Sequence, residues 1–126
     1  MSDKPKRRSS ISPTKRTLDA LRKDGWTVQI VEHWNQFAKI RQDLFGCIDV
    51  LAIGGGHILA VQACAGASHA ARRAKILQEP KALTWVQSGG RLEIWSWAKQ
   101  GPRGAVKKWL CRIEQITVES FERSNP

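Results

Sequence analysis

The sequence predicts an α/β domain: one mixed β-sheet with helices on its faces, in the order α-β-β-β-α-(α)-β-β. Three observations carry this. "CIDVLAI" and "ILAVQAC" are apolar runs joined by the glycine turn "GGGH", which reads as a hairpin whose strands are covered on both faces. Segments with helical signals, "SPTKRTLDALRKDG" and "GASHAARRAKILQ", stand before and after the strands. The chain has 126 residues, the size of one domain, enough for a single core without staples.

Residues 1–11 are polar, basic and serine-rich, and read as a disordered arm in which Lys6, Arg7 and Arg8 can contact phosphate. The single folded domain spans 12–118. It opens on a helix, with Ser12 as N-cap, Pro13 at the first helical position and Gly25 as the stop. "WTVQIVEHW" alternates as a strand, with Trp26, Val28 and Ile30 on one side. "NQFAKIRQDLFG" reads as a connection, followed by the hairpin.

The next helix has Ser68 as candidate cap. Ala71, Ala74, Ile76 and Leu77 give it an apolar side, and Arg72, Arg73 and Lys75 a basic one. Pro80 interrupts it, and "KALTWVQSGG" is a further short helix. "RLEIWSWAK" and "AVKKWLCRIEQI" are two strands around the "QGPRG" loop. Residues 119–126 read as a frayed tail. Trp95 and Trp97 share one face of their strand; with Trp109 they are either core or a stacking surface for bases.

Lys and Arg number 21 against 11 Asp and Glu, a formal charge of +10. Such an excess attracts polyanions, nucleic acid first among them. Three cysteines without CxxC spacing read as free thiols in a reduced compartment, which excludes a disulfide framework and a zinc site. No apolar run approaches the roughly 18 residues of a membrane span, and the N-terminus has no apolar signal core. The expectation is a cytoplasmic protein without membrane contact.

The central hairpin carries two polar residues, Asp49 at the start of one strand and Gln62 near the end of the next. A buried carboxylate needs a cation, a hydrogen-bond cluster or a metal. Glu32, near the end of the preceding strand, can converge on the same place. Two carboxylates and an amide oxygen make a hard-oxygen site of the kind Mg²⁺ takes. The alternatives are structural: Asp49 capping a turn or paired with Arg41, Gln62 bonded to backbone, Asp43 a loop residue or a partner for Arg41.

The run from "GWTVQIVEHWN" through "RQDLFGCIDVLAI" and "HILAVQAC" to "ARRAKI" resembles the PD-(D/E)XK nuclease superfamily, in particular its small Holliday-junction-resolvase-like and VRR-NUC-like branches. The resemblance covers roughly Ser12 to Lys75. It implies a restriction-endonuclease-like core and a DNA endonuclease dependent on Mg²⁺ or Mn²⁺, with branched junctions as one substrate class. It implies a homodimer, no small-molecule cofactor, and a bacterial or phage-infected cell.

Residue by residue, the resemblance makes Asp49 the metal-binding aspartate, Gln62 the substitute for the motif glutamate and the Ala63 carbonyl a further ligand. Cys64 stands where the motif lysine belongs. Lys75 and Arg73, with Arg72, are the replacements on the next helix, and Lys99 a more distant one. Glu32 resembles the additional upstream acid, with Asp19 on the first helix as alternative. Arg41, Arg72, Arg73 and Lys99 join the arm in holding nucleic acid.

Overall fold

The computed structural model describes residues 11–124. Helix α1 (Pro13–Lys23) begins where predicted: the Ser12 side chain accepts from the Lys15 amide at 3.1 Å. The strand predicted over "WTVQIVEHW" is two elements. Strand β1 (Thr27–Ile30) stops, and β2 (His33–Asn35) pairs instead with β3 (Ile40–Gln42) in a separate hairpin. The predicted connection therefore holds regular structure. Asn35 makes the turn, because its Oδ1 accepts from the amides of Phe37 and Ala38 at 3.0 Å.

Strands β4 (Val50–Gly54) and β5 (His57–Ala65) form the predicted hairpin, with Val50 opposite Val61 and Gly54 opposite His57. A 3₁₀ turn (Gly66–Ser68) leads to α2 (His69–Leu77) and α3 (Pro80–Gln87), and then to β6 (Arg91–Gln100) and β7 (Lys108–Ile116). Ser68 gives α2 no side-chain cap. The sheet order is β1-β4-β5-β6-β7, with β5 and β6 parallel and the other pairs antiparallel. The protein is thus an α/β domain with a mixed five-stranded sheet flanked by helices.

Side chains alternate across the sheet, so each face has its own core. Leu18 and Leu21 of α1 pack on Val50, Ala52, Leu59, Val61 and Trp95. On the other face Ala60, Ile94 and Ile116 meet Ile76, Ala82 and Phe121. Trp95 and Trp97 belong to the α1 side, where the Trp97 indole donates to Thr17 Oγ1 at 3.0 Å. Trp109 is 41% exposed.

The tail read as frayed is a helix, α4 (Val118–Ser124). Ser120 Oγ accepts from the Thr117 amide at 3.0 Å, half of a capping box, and Phe121 is buried in the core. An aromatic anchor and a cap together stabilise one short helix that its sequence alone would not.

Candidate metal centre

The polar groups gather at the sheet end where β4 begins and β5 finishes. Asp49 precedes β4 directly and is 3% exposed. One register step before the Val50–Val61 pair, it lies against Gln62. Its Oδ2 accepts from Gln62 Nε2 at 2.7 Å and from the Ala63 amide at 2.9 Å.

Glu32 arrives because the Val31 amide donates to the Asp49 carbonyl at 2.8 Å, which prolongs the β1–β4 pairing by one residue and leaves the next at the opening. Asp43 arrives from the other side. Leu44 and Ile48 exchange both backbone bonds at 3.0 Å, and the Gly46 amide donates to the Asp43 carbonyl at 3.0 Å. This closes "DLFG" into a tight turn, with Phe45 and Gly46 at φ 53° and 75°. A positive φ is easy for Gly46 and unusual for Phe45.

Glu32, Asp43 and Asp49 each offer an oxygen, and these lie within 4.8 Å of one another. Burial pushes the Asp49 carboxyl up to about 8; the neighbouring Asp43 and Glu32 carboxyls add to this, and the Ala63 amide opposes it. Gln62 is 2% exposed, and its Oε1 is buried without a hydrogen-bond partner. An unpaired buried acceptor costs about 1–3 kcal/mol. Crowded carboxyls and an orphaned amide oxygen are both relieved by one hard cation, so the donor set fits Mg²⁺ or Mn²⁺.

The surrounding cavity holds about 430 Å³. Beyond these four side chains it is lined by Arg41, Cys64, Arg72 and Lys75, and by Pro13 and Thr14 at the start of α1. Arg41 pairs with Glu32 at 3.1 Å, and not with Asp49. Burial raises the pKa of the Cys64 thiol, which keeps it protonated and uncharged at the cavity wall.

Other predicted residues lie elsewhere. Arg73 turns away from the cavity: its Nε donates to Glu114 Oε2 at 2.8 Å, beside His69, whose Nε2 is 2.7 Å from Glu114 Oε1. Paired with Glu114 on β7, Arg73, read as a lysine replacement, is not among the residues that line the cavity. Lys99 lies on β6 against Trp109. Asp19 binds Lys15 at 2.7 Å on the exposed side of α1, and Glu32 is the acid that lies with Asp43 and Asp49. Lys6, Arg7 and Arg8 lie outside the described residues. Asp43 was not among the predicted ligands; its signal was the acidic residue opening a Gly-terminated turn just before the central strand.

Comparison with protein-family models, with characterised proteins and with solved structures gives no match. Among the described residues, no helix is long and apolar enough to cross a membrane.

Proposed function

We propose that this protein is a Mg²⁺-dependent DNA endonuclease of the PD-(D/E)XK type, with a restriction-endonuclease-like core. The observation that carries the reading is the convergence of Glu32, Asp43 and Asp49 beside an unpartnered Gln62 Oε1, in a cavity also lined by Arg72 and Lys75. The overall charge of +10 supplies attraction for a polyanion.

Asp49, Asp43, Glu32 and Gln62 would hold the ion, with the Ala63 carbonyl as a further donor. Bound there, Mg²⁺ supplies a Lewis acid for the scissile phosphate and acidifies a water. The chain's own groups do the rest. Gln62 and the Ala63 amide fix the Asp49 carboxylate in one orientation. Lys75, from α2, lines the same cavity and is the candidate replacement for the motif lysine: in that role it positions the attacking water and neutralises the charge that develops on the phosphate. Arg72 and Arg41 hold the flanking backbone. Cys64, neutral and small, leaves room for Lys75 to enter.

Branched junctions are the substrate class that two opposed active sites would serve. A homodimer is part of that version. Trp34, Phe37 and Ile40 on the β2–β3 hairpin, exposed by half or more, support it as surface for a second copy. The test is a labelled four-way junction and a matched linear duplex, incubated with Mg²⁺, Mn²⁺ or EDTA. Metal-dependent cuts that Asp49→Asn abolishes support the enzyme, and a monomer in solution on the junction counts against the resolvase version.

A second reading is a catalytically inert nucleic-acid-binding module on the same fold. Cys64 in place of the lysine favours it. Binding without cutting, by wild type and Asp49→Asn alike, would select it.

A further inference from the structure

The β6–β7 hairpin reaches past the rest of the sheet. Strand β5 leaves β6 at the Ala65–Trp97 pair, while β6 and β7 stay paired through Lys99–Trp109 to Gln100–Lys108. A turn then closes the tip, with the Ala105 amide donating to the Pro102 carbonyl at 3.0 Å and Gly104 at φ 85°. Strands β5 and β6 are parallel, so this arm leaves from the sheet end that holds the acidic cavity. From residue 99 to residue 113 the sequence carries no acid, while Lys99, Arg103, Lys107 and Lys108 are all exposed.

The base of the arm holds a further cation. The Arg16 guanidinium lies over the Trp109 ring at 3.9 Å, and Lys99 Nζ lies 5.7 Å from the same ring. Arg16 makes no ion pair among the described residues, and its Nε is buried without a partner. A guanidinium stacked on an indole and without an ion pair can offer its terminal nitrogens to an anion, and phosphate matches their fork. Arg16 belongs to the first turns of α1, whose Pro13 and Thr14 line the cavity. One helix start therefore joins the cavity to the arm.

We infer that the β6–β7 arm, with Arg16 on Trp109 at its base, is a second contact surface for duplex DNA, lying along a groove and holding its phosphates outside the acidic cavity. The inference rests on the nucleic-acid reading above. A two-stranded ribbon fits the roughly 12 Å major groove of B-DNA, whereas the deep, narrow groove of A-form RNA does not admit it.

The test is binding of the full chain, in EDTA, to a B-form DNA duplex, a matched RNA duplex and the single DNA strand, over a range of salt. Arg103→Glu with Lys107→Glu alters only exposed tip residues; Lys99→Ser with Lys108→Ser alters the stem, and Arg16→Gln the base. The expected result is tight, salt-dependent duplex DNA binding by wild type. Each paired variant should lower the slope of log K against log salt by about 1.8, at roughly 0.9 per lost phosphate contact. Arg16→Gln should lower it by about 0.9, with little change on RNA in any variant. An unchanged slope in the tip variant, which leaves the stem intact, would overturn the arm while the nuclease reading stands. Equal losses on duplex DNA, RNA and single strand would overturn the groove contact. Absence of salt-dependent DNA binding in wild type would overturn both readings.

Discussion

Gln62 donates its side-chain amide to the Asp49 carboxylate across the β4–β5 hairpin, at 2.7 Å, and leaves its own oxygen buried and unpaired. The pair is half satisfied. The donor end is used to orient a carboxylate, and the acceptor end is buried without a partner in a residue that lines the acidic cavity. A buried amide serving only structure would bond at both ends. The arrangement makes Gln62 a support for Asp49, and under the proposed function its free oxygen is a candidate ligand.

Replacing Gln62 separates the two roles. Gln62→Met removes donor and acceptor at similar volume. Loss of one hydrogen bond to a buried charged group and removal of the orphaned oxygen offset each other, so stability in EDTA should change by less than about 1.5 kcal/mol. The stabilisation by Mg²⁺ should fall sharply; for wild type it is about 2.7 kcal/mol at 100 times Kd. Thermal melts at rising Mg²⁺ read both quantities. An undiminished Mg²⁺ response in Gln62→Met would remove Gln62 from the ligand set.

The Asp49 carboxyl predicts a pH dependence. Its ordinary value near 3.8 rises to about 8 in the folded chain, chiefly through burial and then through Asp43. Between these values the folded state binds a proton that the unfolded state has released. Stability in EDTA should therefore fall as pH rises from about 4 to 8, by an amount on the order of 2–4 kcal/mol. Asp49→Asn should flatten that slope and leave the protein more stable than wild type at pH 8. Mg²⁺ should do the same for wild type, since a cation replaces the proton. Chemical denaturation at pH 5 and pH 8, with and without Mg²⁺, measures all of this, and a pH-independent wild type would contradict it.

Lys75 and Arg73 stand two residues apart on α2 and face different partners. Lys75→Ala removes a cation that lines the cavity, so turnover should drop by about 10²–10³ with little change in DNA affinity. Arg73→Ala breaks a half-exposed ion pair with Glu114, which should cost under about 1 kcal/mol and leave turnover within a few-fold. His69→Ala is different in kind. It strips Ser96 Oγ and Glu114 of buried partners, both at 2.7 Å, and should destabilise by about 2–4 kcal/mol. Steady-state kinetics and melts on the three variants distinguish them. A turnover loss in Arg73→Ala matching that of Lys75→Ala would return Arg73 to the site.

Much of this was legible in the residues. Asp49 and Gln62 could be placed together because strand pairing through "GGGH" has one natural register, and period two puts both on one face. Ser12, Pro13 and Gly25 marked α1 by chemistry that is purely local. The residues that escaped were set by long-range geometry. Asp43 joins the cluster only because "DLFG" folds back on Ile48, through a left-handed Phe45 that no propensity suggests. Arg73 and Lys75 read alike on a helix wheel, and what separates them is Glu114, 41 residues from Arg73. The Val31 bond to the Asp49 carbonyl, just before β4, carries the β1 pairing one residue further and so brings Glu32 to the opening.

The last turn of the chain gives the sharpest stability prediction. Residues after Thr117 carry charges and small polar groups, which suggested a loose end. Phe121 is nevertheless 5% exposed, in one core cluster with Ile76, Ala82, Leu92 and Ile116. The helix carrying it has only 7 residues, too few to form alone, so the ring and the helix depend on each other. Phe121→Ala should then cost about 3–4 kcal/mol: the lost burial, the cavity, and the undocking of α4. Ser120→Ala should cost about 1 kcal/mol, since only the bond to the Thr117 amide is lost. Both variants should keep their Mg²⁺ response, because α4 packs on the sheet face away from α1 and contributes nothing to the cavity lining. Urea denaturation of the two variants checks the magnitudes, and a Phe121→Ala protein as stable as wild type would show that the tail is loose in solution after all.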